Sequence, residues 1–407
     1  MNFFSRIFSR KNYGILDLGK DTGFFGAPGS GGVRVGRQQA LQVATVFSCL
    51  RVLGEGVAQV PLKVMKRADR KHQADEAHPL YELLHTQPND WMSSFELREL
   101  IVWHAALCGT AYCFLGRNAR GNIVEIIPLT SGVVAKQGRD YNLTYQVTGP
   151  SGESRAFSQT DIWAVRGPSW DGFNGLEILK VAREALGLSI AAERHHSRLH
   201  KNSAQPSGLY SIEGALNPEQ NKALRNWLDK EYSGVENAGK LMIADRAAKF
   251  TPFASKGVDM QHLETRNHQI TEICRYFRIM PIMIGYSDKA ATYASAEQMF
   301  LAHLVHTLMP WYARLEGSMN TQLLSLKDRR EGVYVKFFER GLLRGAMKDE
   351  AEYLGKLVGQ GVLTRNEARE LMDRNPLDGL DEPLTPMNMV TESASPAVDN
   401  STAPQPE

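Results

Sequence analysis

Apolar residues recur every three or four positions between residues 301 and 323, which is the spacing of one face of an α-helix. The stripe consists of Leu301, Leu304, Val305, Leu308, Tyr312, Leu315, Met319 and Leu323. A small polar loop, Gly285 to Ala294, precedes this stripe. Ser295 and Gln298 have the spacing of a capping box, which predicts that the helix begins where the loop ends. A long helix with a loop at its tip indicates mechanical or positional work more than chemistry.

Pro310 lies in the middle of this predicted helix. Proline has no backbone N–H, so the His306 carbonyl loses its usual hydrogen-bond partner. We therefore predict a kink at Pro310.

The remaining pattern separates into blocks of helical period and blocks of strand-like alternation. The helical blocks are residues 40–59, 79–87, 94–107, 175–200, 218–232, 260–277, 343–358 and 364–373. The strand-like blocks are residues 61–66, 111–116, 122–129, 143–149, 154–158, 161–167, 208–213, 240–253 and 333–338. Because helices and strands are segregated rather than alternating as βαβ units, the pattern predicts an α+β fold.

The two ends of the chain have a different composition from the middle. Residues 1–37 are rich in glycine and lack a sustained period, which predicts a flexible arm. Residues 376–407 combine proline with serine, threonine and acidic residues, which predicts a disordered acidic tail. The first residues, MNFFSRIFSRK, have no long apolar segment and are not typical of a secretory signal. They form a basic amphipathic arm that attaches to a membrane surface or, as we favour, docks on a neighbouring protein or stays mobile.

The charge of the chain is nearly balanced, with 47 Lys and Arg residues against 45 Asp and Glu residues among 407. A tight nucleic-acid binder normally has a basic surplus, so this balance argues against one, although not against a protein that DNA merely passes. Apolar residues make up 43% of the chain, and no apolar run is long enough for a membrane helix. The four cysteines lack metal-binding spacing and favour a reducing compartment such as the cytoplasm.

Several motifs come close to a catalytic pattern and fall short. Residues 14–21 and 234–241 have the glycine spacing and the lysine of a phosphate-binding loop, but both lack the hydroxyl residue that holds Mg²⁺. His196 and His200 have a spacing that can hold zinc, but Arg194 and Arg198 lie beside them and no glutamate base lies between. We expect no catalytic residue, metal or cofactor, and a nucleotide- or metal-dependent enzyme using Lys240 or the two histidines is the alternative.

Four blocks, taken together and in order, resemble the portal proteins of tailed double-stranded-DNA bacteriophages, in the compact family of lambdoid siphoviruses. The first two are ATVFSCLRVLGEGVAQVPLKV and HPLYELLHTQPNDWMSSFELRELIVWHAALCGTAYCFLGRNARGNIVEIIPL. The others are GLEILKVAREALGLSIAAERHHSRLHKNSAQPSGLY and TYASAEQMFLAHLVHTLMPWYARLEGSMNTQLL. Each block alone is unspecific, and the resemblance comes from their number and order across most of residues 40–325.

The resemblance implies an elongated subunit with a wing, a two-helix stem, a clip and a helical crown, assembled as a closed ring of twelve at one capsid vertex. The implied wing is residues 38–175 and 295–339, the stem 176–202 and 257–283, the clip 203–256, the tunnel loop 284–294 and the crown 340–375. The implied function is the DNA channel for genome packaging and ejection. The implied partners are double-stranded DNA bound without sequence preference, the major capsid protein or scaffold, the large terminase subunit and a head–tail connector protein. The implied location is the virion, after assembly in the host cytoplasm.

The tunnel loop is the candidate DNA-facing site. We expect contact with DNA mainly through small or uncharged residues, because a channel in which DNA slides must bind weakly at each point. These residues are Ser287, Ala290, Ala291, Thr292 and Tyr293. Asp288 and Lys289 would form adjacent rings of opposite charge around the axis. Two other hypotheses remain open, the enzyme named above and a membrane-associated pore that uses the N-terminal arm.

Overall fold

A computed structural model describes residues 34–68, 71–130, 132–149, 152–201, 208–211, 217–220, 222–223, 226–227, 249–252, 258–286, 293–339, 347–372 and 374–384. Its helices are α1 (Arg37–Gln42), α2 (Ala44–Ala58), α3 (Pro79–His85), α4 (Ser94–Cys108), α5 (Ile178–Val181), α6 (Arg183–Lys201), α7 (Val258–Phe277), α8 (Tyr293–His303), α9 (Met309–Gln322), α10 (Leu326–Arg330), α11 (Met347–Gly359) and α12 (Arg365–Leu371). A 3₁₀ turn spans Pro281–Ile284, and a π-helical turn spans Leu304–Leu308.

The strands are β1 (Leu62–Ala68), β2 (Lys71–Ala74), β3 (Thr110–Arg117), β4 (Ile123–Leu129), β5 (Val133–Gln137), β6 (Leu143–Thr148), β7 (Ser154–Ser158), β8 (Ile162–Arg166), β9 (Gly208–Ser211), β10 (Lys249–Pro252) and β11 (Val333–Phe337). Within the described ranges they form four antiparallel sheets, ordered β11–β1–β2, β4–β3–β8, β5–β6–β7 and β10–β9. The segregation of helices and strands confirms the predicted α+β fold.

Local sequence explains where the central helices begin and end. Ser93 caps α4, since its hydroxyl accepts from the Glu96 N–H at 3.3 Å while the Glu96 carboxylate accepts from the Ser93 N–H at 2.7 Å. Helix α2 ends at Ala58, before Pro61, which cannot continue a helix. These two helices pack against each other and bury residues such as Leu53 and Ile101 in the main core.

The main core joins distant parts of the chain. Strand β11 pairs with β1, with Leu62 opposite Phe337 and Met65 opposite Tyr334, so a late segment completes a sheet begun near the start. The core also takes in residues of α6, α7 and α9. A second, smaller core lies between the β5–β6–β7 sheet and β3, β4 and β8, where Leu129, Tyr145, Val147, Phe157, Ile162 and Ala164 are buried. The fold therefore has one large and one small apolar centre.

Helices α6 and α7 pack against each other. Leu179, Ala182, Leu186 and Ile190, which are spaced three or four residues apart, are all buried. Helix α7 also contacts α2, where the Cys49 and Cys274 sulfurs approach to 3.9 Å and either thiol donates. Both helices are thus joined to the main core, through Leu186 and Ile190 of α6 and Ile273 and Cys274 of α7.

Two predicted borders need correction. The core already includes Val35, so the predicted flexible arm over residues 1–37 is too long at its end. Residues 376–384, predicted as part of a disordered tail, pack beside α12, because the Asn366 side chain accepts from the Leu377 N–H and donates to the Leu377 carbonyl. Asn366 is itself buried, and this buried amide orders a stretch whose composition alone suggested disorder. Residues 385–407 lie outside the described residues.

Candidate functional site

The long helix predicted after the polar loop is present as three consecutive parts, α8, the π-helical turn and α9. It begins at Tyr293, so Ser295 lies inside its first turn and the predicted capping box of Ser295 and Gln298 is wrong. Neither Tyr293 nor Ala294 is a helix breaker, and the helix therefore extends back past the serine.

The π-helical turn lies directly before Pro310. The Met309 N–H donates to the Leu304 carbonyl five residues earlier, instead of four as in an α-helix. Pro310 follows as one of the first residues of α9, where a missing N–H is tolerated. The sequence predicted a kink at Pro310, and the structure has a widened, π-helical turn immediately before this proline. The bend angle of the helix stays a prediction.

The π-helical turn is also tied to the end of α7. The Thr307 hydroxyl donates to the Arg278 carbonyl at 2.8 Å. Arg278 has a φ of 57°, in the left-handed region that residues with side chains rarely adopt. This contact places the widened turn where the long helix meets the end of α7.

Helix α9 is fixed by side chains that complete two open sheet edges. Gln322 donates to the Ala164 carbonyl and accepts from the Ala164 N–H, both at 2.9 Å, as a neighbouring strand would. Asn320 accepts from the Val335 N–H at 2.7 Å and donates to its carbonyl at 3.3 Å. These bonds cover the edge of β8 and the edge of β11, so α9 is clamped to both sheets.

Further contacts along α9 are consistent with a rigid attachment. The Phe337 N–H donates to the Glu316 carboxylate at 2.7 Å. The Trp163 indole N–H donates to the Ser318 hydroxyl at 3.2 Å, and the Tyr312 hydroxyl donates to the Gly56 carbonyl at 2.9 Å. Burial raises the pKa of Tyr312, with a further contribution from the negative charge of Glu339, so this hydroxyl stays a donor at neutral pH.

Among the described large apolar side chains of the long helix, several before α9 are more exposed than those of α9. Leu304, Leu308, Tyr312, Leu315, Met319 and Leu323 are buried as predicted. Leu301 and Val305, predicted to face the same core, are instead 40% and 39% exposed. The widened turn adds a residue, which rotates the upstream part of the stripe by about 100° relative to the downstream part. The prediction of one continuous core-facing stripe is therefore wrong for these two residues.

His303, at the end of α8, is a buried titratable group. Burial lowers the pKa of its imidazole, and its Nδ1 atom has no hydrogen-bond partner. The ring is therefore neutral at physiological pH and adds no charge to the long helix.

Most of the predicted DNA-facing residues lie outside the described residues. These are Ser287, Asp288, Lys289, Ala290, Ala291 and Thr292. Tyr293 is the first residue of α8, and only its backbone is described. On the near side of the loop, Gly285 follows the 3₁₀ turn with a φ of 79°, a conformation that suits glycine. The contacts predicted for this loop stay predictions.

The residues of the alternative enzyme hypothesis are similarly placed. Lys240 lies outside the described residues, and His196 and His200 are on α6 with undescribed side chains. Among the residues that the structure describes, no group of three or more His, Cys, Asp or Glu residues is arranged to hold a metal ion. In the same part of the chain, no helix is both long and apolar enough to cross a membrane.

Sequence reasoning missed the clamp formed by Glu316, Asn320 and Gln322. The available signal was weak, because polar residues next to the apolar stripe of a helix usually lie at the border of the core and face solvent. Their strand partners lie 15 to 158 residues away along the chain, so no local pattern marks them.

Together these features describe a long helix that is clamped to two sheets along α9 and has exposed apolar residues between Met299 and Val305. Comparison with known proteins identifies the family. The sequence profile described as "Phage portal protein" matches residues 44–373. The chain belongs to this phage portal protein family, which is a structural and not an enzymatic family. The resemblance found in the sequence is confirmed.

Individual relatives agree with this assignment. The portal protein of Enterobacteria phage HK97 is 27% identical over 367 residues, covering 89% of this chain and 86% of that protein. The probable portal protein of Streptomyces phage phiC31 is 27% identical over 411 residues, covering 96% of this chain and 89% of that protein. The neck of a native gene transfer agent particle, solved with C12 symmetry, has a similar fold, with a TM-score of 0.60, 23% identity and coverage of 84% of this chain and 92% of that one.

Proposed function

We propose that this chain is the subunit of a portal ring, the DNA channel at one capsid vertex through which the genome is packaged and ejected. The observation that carries the proposal is the match of the portal family profile over residues 44–373. The geometry of the long helix supports it. A helix clamped to two sheets through Gln322 and Asn320 has a rigid base from which to hold a loop at a channel axis.

We assign the regions of a portal subunit to the elements as follows. The wing, residues 38–175 and 295–339, contains the smaller core and most of the main core. The stem, residues 176–202 and 257–283, consists mainly of α6 and α7, whose mutual packing supports the assignment. The clip, residues 203–256, contains β9 and β10, and the crown, residues 340–375, contains α11 and α12. Residues 284–294 form the tunnel loop.

The proposed partners follow from the position of a portal at the vertex. The ring docks on the major capsid protein or scaffold, and the large terminase subunit binds it during packaging. A head–tail connector protein then replaces the terminase. The complete ring resides in the virion after assembly in the host cytoplasm, and DNA passes through it without sequence preference.

Within the tunnel loop, small and uncharged residues are proposed to face the DNA: Ser287, Ala290, Ala291, Thr292 and Tyr293. Asp288 and Lys289 place two rings of opposite sign next to each other. Such a pair of rings cancels at a distance, which keeps the interaction with the DNA backbone weak and lets DNA slide.

Electron microscopy and native mass measurement of the purified full chain test the proposal. We expect rings with a central hole and a mass near twelve or thirteen times 45.4 kDa. A monomer without rings at any concentration, together with ATP or DNA turnover that is lost in Lys240→Ala or His196→Ala, would contradict the portal function and favour the enzyme.

A further inference from the structure

Two cysteine thiols meet in the main core, at the contact between α2 and α7. Cys49 and Cys274 are both fully buried, and their sulfurs lie 3.9 Å apart although the residues are 225 positions apart along the chain. A single buried cysteine is usually a small core residue. Two that meet are also the two halves of a disulfide bond, in which the sulfurs lie about 2.0 Å apart. Such a bond needs only an oxidant and an approach of about 1.9 Å between the sulfurs.

The contact also favours the reactive form of one of the two thiols. The thiolate, and not the thiol, reacts with oxidants. When Cys49 donates the hydrogen bond between the sulfurs, it lowers the pKa of Cys274, and the same bond, followed by burial, raises the pKa of Cys49. At Cys113, which is also buried, burial alone acts and raises the pKa. Of these three buried cysteines, Cys274 therefore ionises most readily.

A mostly apolar cavity of about 220 Å³ leads from the surface towards the pair. Leu53, which lines it, is four residues after Cys49 on α2. Phe277, which also lines it, is three residues after Cys274 on α7. The cavity wall is thus about one helical turn, roughly 5 Å, from both cysteines. Val181, another lining residue, is 56% exposed, so a small solute enters from solvent and crosses the last turn during brief local openings.

We propose that Cys49 and Cys274 form a disulfide bond within one subunit when the protein meets hydrogen peroxide. The Cys274 thiolate attacks one peroxide oxygen, the O–O bond breaks, and the leaving hydroxide takes up the proton that the thiol released. The Cys49 sulfur then attacks the sulfur of this sulfenic acid. The S–O bond breaks, and its hydroxide leaves as water with the Cys49 proton. Two thiols are oxidised, and one peroxide is reduced to two waters.

The bond would hold α7 on α2. Cys274 lies eleven residues before Gly285, on the near side of the proposed tunnel loop. The cytoplasm keeps thiols reduced, whereas a released particle has left that compartment. Under the portal function proposed above, the bond therefore fixes the helix that leads to the tunnel loop after release. This consequence rests on the proposed function, but the chemistry of the thiol pair does not.

Peroxide treatment of the purified full chain tests the proposal. The remaining thiols are blocked, and the protein is digested and mapped by mass spectrometry. We expect peptides linked through Cys49 and Cys274, and we expect reduction to separate them. The treated chain should run as a monomer on a denaturing, non-reducing gel, because the bond is internal. Its apparent melting temperature should rise by about 5 °C, because the bond closes a long loop.

Two variants and one native cysteine serve as controls. Cys49→Ala removes one half of the bond and should abolish both the linked peptides and the rise in melting temperature. Cys113→Ala, the same change at another buried cysteine, should keep both. Cys108 is only half-buried, and the peroxide dose is raised until this thiol is oxidised, which establishes that the reagent has acted.

The peptide map of the unsubstituted chain decides the question without relying on the folding of any variant. The absence of the linked peptides while Cys108 is oxidised would overturn the proposal, and so would links between different chains. Neither result bears on ring formation, so the portal function would stand. Failure of the reduced chain to form rings would instead count against the portal function and leave the thiol chemistry intact.

Discussion

At the scale of single residues, His104 on α4 is held in its neutral form by its surroundings. Burial, and after it the positive charge of Arg37, lowers the pKa of this imidazole to about 4. An unfolded chain has no such surroundings, and a histidine in it titrates near pH 6.5. This difference in pKa makes the stability of the fold depend on pH, because the unfolded chain binds a proton that the folded chain does not bind.

We predict that acidification from pH 7 to pH 4 destabilises the fold through His104. Because its folded pKa is the lower one, its contribution is present above about pH 6.5 and is lost as pH falls towards 4. Allowing for the partial exposure of the side chain, the loss is of the order of 2 kcal/mol. Urea unfolding at pH 7, 5.5 and 4.5 measures it, and His104→Asn should flatten the decline by about one proton per molecule. Equal pH dependence in both proteins would contradict the prediction.

At the scale of elements, the central feature is the amide clamp between α9 and the two sheets. Gln322 occupies the open edge of β8, and Asn320 occupies the open edge of β11. Each side chain satisfies both the N–H and the carbonyl of one strand residue. A strand edge left open would be a site for unwanted pairing with another chain, so the clamp both positions the helix and protects the sheets.

We predict that Gln322→Ala lowers the free energy of unfolding by about 2–3 kcal/mol, because it leaves two part-buried groups of Ala164 without partners. The matched control is Thr321→Ala, whose hydroxyl is exposed and bonds only within its own helix, to the carbonyls of Gly317 and Ser318. The control should change stability by less than about 0.5 kcal/mol. Urea denaturation measures the free energy of unfolding of the two variants. Similar decreases in both would contradict a stabilising role of the bonds between Gln322 and Ala164.

The long helix also shows what the sequence could predict and what it could not. The spacing of Leu308, Tyr312, Leu315 and Met319 predicted their burial, because helical period and a nearby core act together. The π-helical turn was not predicted, since a single five-residue turn has no period of its own and Pro310 marks only its end. The exposure of Leu301 and Val305 follows from that turn. The Gln322–Ala164 pairing spans 158 residues and has no local signal.

At the scale of the whole molecule, the near balance of 47 basic and 45 acidic residues has a physical consequence for a DNA channel. Each phosphate that a protein neutralises adds affinity and a steeper salt dependence. A ring multiplies every such contact by the number of subunits, so even one unmatched lysine per subunit would hold DNA strongly. In the proposed tunnel loop, the neighbouring Asp288 offsets Lys289 and avoids that outcome.

Removing one member of the pair of opposite charges should therefore change the passage of DNA. Lys289→Ala leaves a ring of aspartates facing DNA, and the repulsion should reduce DNA-filled particles by about twofold or more in a complementation assay. Ring assembly should be unchanged, because the loop is proposed to contact DNA and not the neighbouring subunit. The double variant Asp288→Ala, Lys289→Ala restores neutrality and should recover packaging.

Lys327→Ala is the control for the loss of a lysine elsewhere, since Lys327 is 84% exposed on α10. It should leave the yield of DNA-filled particles unchanged. Failure of Lys289→Ala to assemble rings would make the loop an interface element and contradict its role in DNA passage. If the double variant packaged as little DNA as the single one, charge balance in the loop would not explain the defect. The specific contacts of Lys289 would explain it instead.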